Sequence, residues 1–135
     1  MNTTTRIPVF CTQAGRSDFA GEVGYLIHGT ARPGYVSIRT GKVSVAVPVE
    51  GLTAAVFDAR EWTSPDGLLG TALHKSCGAE WLVVTVGSGR HPEAQLYVSA
   101  PPVRSHLAEV LLAMCTAEDA YAGEMDWLRT EDGSL

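Results

Sequence analysis

YVSIRTGKVSVAVPV, residues 35–49, decides the fold. Two alternating runs flank Thr40-Gly41, and glycine supplies the positive φ that a tight hairpin turn needs. With those two residues as the loop, Arg39 faces Lys42, Ile38 faces Val43, Ser37 faces Ser44 and Val36 faces Val45. Apolar pairs then share one face and polar pairs the other, so turn and pattern agree on a register. Pro48 falls opposite Pro33, and pairing should stop there because proline cannot donate to a ladder.

Outward from this hairpin, Arg6 to Thr12 and Glu22 to Thr30 read as strands, with Gln13 to Gly21 as their connection. Leu52 to Phe57 is read as a further strand. Ser64, Pro65 and Asp66 have the order of an N-cap, a first helical residue and a dipole-complementing acid. They predict a helix to about Cys77, ended by Gly78, with Leu69, Ala72, Leu73 and Cys77 in its buried stripe. Trp81 to Val86, apolar on both faces, reads as the most buried strand. Gly87 to Glu93 reads as a flexible loop and Gln95 to Ala100 as another strand.

Pro101-Pro102 opens a second helix through about Cys115, with Val103, Leu107, Val110, Leu111 and Met114 at helical spacing. Thr116 to Asp119 resembles a capping box and predicts a break near Cys115, then a short helix from Ala117 to about Arg129. The expected class is α+β in one domain, residues 1–135. It is a mostly antiparallel sheet of five to seven strands, with two main helices on one face and a short C-terminal helix.

Charge is uneven along the chain. The 135 residues carry a formal net charge of −5. Residues 1–60 are basic by two charges, and the remainder is acidic by seven. From Thr116 onward, six acids accompany a single base, Arg129. Tyr121, Met125, Trp127 and Leu128 are interleaved with them, so this ending can dock on its own domain or serve as a handle for a partner. The basic hairpin tip, Arg39 and Lys42, is the complementary candidate contact.

Overall acidity and the shortage of basic stripes argue against nucleic-acid binding, which rests on neutralising phosphates. No apolar run reaches membrane-spanning length, and the polar start lacks a signal-peptide core, so a cytoplasmic protein is expected. Cys11, Cys77 and Cys115 fit reduced thiols.

Catalytic chemistry has one candidate pair, His74 and Cys77, neighbours on the expected helix. No third group is identified to orient the histidine. Metal-ligand spacing is absent, and no cofactor is expected. Gly87 to His91 lacks the lysine and the following helix of a phosphate cradle; if it binds a ligand, Arg90 and His91 would meet an anion.

The function expected is that of a non-enzymatic regulatory or adaptor protein working through protein contacts, as a homodimer paired along an edge such as Lys42 to Val49. One alternative is a small enzyme or ligand-binding domain with a pocket near His28, His74, Trp81 and Tyr97. The other is a nucleic-acid-associated accessory protein whose acidic tail shields the Arg39 and Lys42 tip.

Overall fold

The structure, a computed structural model, describes residues 2–13, 20–29, 31–41, 43–88 and 91–131. Residues 2, 13, 20, 88, 91, 92 and 116–131 are described by backbone alone. Eight strands form one sheet: β1 (Asn2–Gln13), β2 (Ala20–Gly29), β3 (Tyr35–Arg39), β4 (Ser44–Pro48), β5 (Trp62–Thr63), β6 (Leu69–Ser76), β7 (Ala79–Ser88) and β8 (His91–Ser99). Helix α1 (Val49–Val56) joins β4 to β5, and α2 (Ala100–Glu131) follows β8. The order is β4-β3-β2-β1-β8-β7-β6-β5, every neighbour antiparallel. Two four-stranded meanders are therefore joined where the first strand pairs with the last.

Alternation puts Ile7, Val9, Leu26, Val36, Ile38, Val47, Leu82, Val84, Leu96 and Val98 on one face, each essentially without solvent exposure. Both helices cover that inner face. From α2 come Val103, Leu107 and Val110, with Leu111 and Met114 half-buried beside them. That stripe and the Pro101-Pro102 start match the spacing in the sequence.

The hairpin at residues 35–49 forms, but in a register two residues away from the expected one. Arg39 pairs with Ser44, Ile38 with Val45, Ser37 with Ala46, Val36 with Val47 and Tyr35 with Pro48. The loop holds four residues rather than two because Thr40 closes it: its N–H donates to the Val43 carbonyl at 2.8 Å, and the Val43 N–H donates to Thr40 Oγ1 at 3.0 Å. Lys42 lies outside the described residues.

Four further expectations are overturned. Leu52 to Val56 belongs to α1, with Phe57 as its C-cap, and not to a strand. Six of its eight residues are buried, so no polar face marks the helical period. Residues 64–77 are not a helix. Ser64 Oγ and Asp66 Oδ1 accept the N–H groups of Leu69 (3.1 Å) and Leu68 (3.0 Å), and Gly67 takes φ +74°. The residues that resemble a helix cap instead close the β5–β6 turn, and Leu69–Ser76 is a strand.

Nor are the described residues of 87–93 a loop. Gly87 pairs with Pro92 and Ser88 with His91, with a bulge at Val86/Gly87. Finally, α2 runs unbroken through Cys115 to Glu131, so the separate C-terminal helix does not exist.

α1 docks on β5 and β6 through a close approach. Thr71 Oγ1 donates to the Gly51 carbonyl at 2.7 Å, and a Cβ on Gly51 would lie 2.7 Å from Trp62 Cε3. Alanine in a helix normally gains about 1 kcal/mol over glycine. Overpacking against a ring costs about 1–3 kcal/mol. Gly51→Ala is therefore expected to lose about 1 kcal/mol net in urea unfolding; a gain would show that Trp62 does not pin the helix.

Candidate interaction surfaces

The two sheet edges, β4 and β5, flank an open groove of about 1030 Å³. Tyr35 and Pro48 line one side, Trp62 and Leu69 the other, and Leu111 and Met114 of α2 complete it. Its rim carries Glu50, Asp58 and Asp66, all exposed, against the single base Arg60. Hydrogen bonds from Ser64 and from the Leu68 N–H hold the Asp66 carboxyl below its ordinary pKa, so it stays ionised. Tyr35 also carries the Arg32 guanidinium over its ring, 4.4 Å from the ring centre.

Backbone alternation shows what the β4 edge offers. Thr40–Val43 and Gly34–Val49 are hydrogen-bonded pairs. Every second pair between them, Val36–Val47 and Ile38–Val45, must then exchange bonds too. Ser44 and Ala46 consequently aim both N–H and C=O away from β3, and Pro48 aims only its carbonyl. The edge is a short pairing template ended by a proline.

On the outer face of the sheet, Arg6 pairs with Tyr25 and Tyr25 with Arg39, giving one row across β1, β2 and β3. Both arginines are exposed, Tyr25 is 42% exposed, and Val23 beside it is 50% exposed. Farther along, Phe10 meets Trp81 edge-on with centroids 5.7 Å apart.

The sequence-derived sites fare unevenly. His74 is exposed on β6, and Cys77 is exposed in the β6–β7 turn with φ +52°, followed by Gly78 at +81°. Two positive φ values make this a type I′ hairpin turn, so the helical proximity expected of the pair is gone. Nor do His28, His74, Trp81 and Tyr97 share a pocket. His28 lies buried on the inner face, while the register places the other three on the outer face.

Arg90 lies outside the described residues, as do the side chains of His91, Tyr121, Met125, Trp127 and Leu128. Among the described residues no three His, Cys, Asp or Glu side chains gather as a metal site, and no helix is long and apolar enough to cross a membrane.

The sequence reading missed His106. It falls within the buried stripe of α2 at 1% exposure. Thr5 Oγ1 lies 2.9 Å from its Nδ1, and its Nε2 has no hydrogen-bond partner among the described residues.

No protein-family model matches the chain, and no curated protein matches it by sequence. Solved structures do. An SsgA-like sporulation-specific cell division protein from Thermobifida fusca aligns with TM-score 0.71 and 14% identity, over 97% of this chain and 95% of the other. A second aligns with TM-score 0.68 and 16% identity, over 84% and 86%. It comes from work relating mutations in SsgB to longitudinal cell division during sporulation of Streptomyces coelicolor. The chain shares their fold.

Burial, first, and then His28 hold the His106 pKa below 6.5, while Glu109 acts in the opposite sense. A histidine kept neutral in the folded state contributes stability that is complete above the unfolded pKa near 6.5 and is lost as pH falls through it towards the folded value. Chemical denaturation of the protein should therefore show stability declining from pH 7.5 to pH 5. His106→Gln, which keeps an acceptor for Thr5 but cannot titrate, should flatten that decline. Equal slopes in both proteins would remove His106 as its source.

Proposed function

We propose that this protein is a non-enzymatic regulator of cell division that acts in the cytoplasm through protein contacts, as a homodimer. The observation that carries the reading is the apolar groove beside the open β4 edge. It offers a partner segment unpaired backbone groups at Ser44 and Ala46 and an apolar bed at Trp62, Leu69 and Met114. The acidic rim favours a segment carrying Lys or Arg among its apolar residues. The cell-division role is supported by the fold shared with SsgA-like proteins. Tyr121, Met125, Trp127 and Leu128, with Arg39 and Lys42 of the hairpin tip, are further contact residues in this reading.

Ala46→Pro separates fold from contact. The Ala46 N–H points to the open edge, so its loss costs no ladder bond, and the melting temperature should stay within about 2 °C. Cells lacking the gene should misplace septa during sporulation, the wild-type gene should restore them, and Ala46→Pro should not. Normal septation without the gene would refute the division reading; full restoration by Ala46→Pro would refute the edge. Light scattering at high micromolar concentration should give twice the 14.3 kDa chain mass.

A further inference from the structure

The row Arg6–Tyr25–Arg39 lies on the outer sheet face, because Ile7, Leu26 and Ile38, the neighbours of these residues along their strands, point inward. Neighbouring strands are about 4.8 Å apart, so the arginines stand roughly 10 Å apart with the tyrosine ring between them. Neither arginine has a hydrogen bond or ion pair among the described residues. The adjoining positions on this face are Thr4, Pro8, Val23, Ile27 and Ser37, and none is a carboxylate. Two unpaired guanidinium groups beside a half-exposed tyrosine and valine suit a partner that is both acidic and apolar.

The chain carries such a segment. Within α2 beyond Thr116 are Glu118, Asp119, Glu124, Asp126 and Glu131, with Tyr121, Met125 and Trp127 among them. It cannot reach its own row. α2 leaves β8 at Ala100, lies on the inner face through Val103, Leu107 and Val110, and continues unbroken. The sheet therefore stands between this helix and the outer face of the same copy. From Thr116 to Glu131 the helix extends about 24 Å, enough to cross all three strands of the row.

We propose that the acidic, aromatic end of α2 from one copy docks across Arg6, Tyr25 and Arg39 of a second copy. This rests on the homodimer part of the reading above and names its surfaces. Exposed ion pairs each contribute little. Apolar contact with Tyr25 and Val23 supplies most of the affinity, while the charges set orientation and association rate. The contact weakens as salt rises.

Sedimentation equilibrium on the full-length chain provides the test, with charge-reversed variants of the row, where Arg6 and Arg39 are exposed, and of the tail. Arg6→Glu with Arg39→Glu, and separately Glu124→Arg with Asp126→Arg, should each weaken self-association at least tenfold. An equimolar mixture of the two should restore it, because the unaltered tail of one variant then meets the unaltered face of the other. A chain ending at Thr116, which keeps Val103 to Met114, should be monomeric.

A full-length chain that is itself monomeric overturns both this contact and the homodimer. Undiminished dimerisation of the truncated chain leaves the homodimer standing and overturns this contact, as does failure of the mixture to recover. Binding of oligothymidylate that disappears in Arg6→Glu/Arg39→Glu would mark the row as a nucleic-acid surface and likewise overturn it.

Discussion

An eight-stranded antiparallel sheet with one largely apolar face must have that face covered, and this chain covers it with two helices. The larger part falls to α2, whose buried stripe lies on β1, β2, β7 and β8 around the seam between the meanders. The outlying part falls to α1, which is eight residues long and must reach β4, β5 and β6. Such a short helix has little stability of its own and depends on its contacts. The bare Cα of Gly51 lets Trp62 lie flat against it, and Thr71 holds its carbonyl. At its other end, Arg104 Nε donates to the Val56 carbonyl at 2.6 Å while the same guanidinium pairs with Glu80. One cation thus caps α1, which has no base in its own last turn, and ties it to α2 and β7.

What could be read from sequence is what period two and period 3.6 make visible. The alternating strands and the buried stripe of α2 were legible for that reason. The register of the 35–49 hairpin was not. Sliding one strand by two residues returns every side chain to the same face, so the apolar pattern cannot detect the slip, and only the Thr40 loop bonds decide it. α1 was hidden because burial on nearly all sides erases its amphipathic signal. Residues 64–77 misled for a third reason. Ser and Asp side chains satisfy backbone N–H groups equally well at a helix start and in a tight turn, and only the strand partners of Leu69–Ser76 distinguish the two.

The surfaces were less legible than the fold, because each is assembled from segments far apart in sequence. Arg39 stood out as basic, but its expected neighbour was Lys42; pairing through β2 gives it Tyr25 and Arg6 instead. His106 looked like one more residue of a helix, and its burial follows only from the position of Thr5 on a strand 101 residues earlier. The groove needs both ends of the sheet and α2 at once. Conversely, His74 and Cys77 were brought together by a helix that does not form.

The charge asymmetry along the chain becomes an asymmetry in space. The basic first portion builds the β1–β4 meander and shows Arg6 and Arg39 on the outer face. The acidic remainder ends in a helix that leaves from the inner side of the same sheet. An intervening sheet prevents these charges from meeting within one molecule, so each copy keeps opposite fields on opposite sides. In the proposed contact such an arrangement steers copies to approach face to tail, and short edges at β4 and β5 leave little backbone for competing edge-to-edge association. Pro48 shortens the β4 edge further, so a strand added there must be short and must draw affinity from the groove beside it. The two surfaces therefore suit different partners: a basic, apolar segment at the groove and an acidic, aromatic one on the outer face.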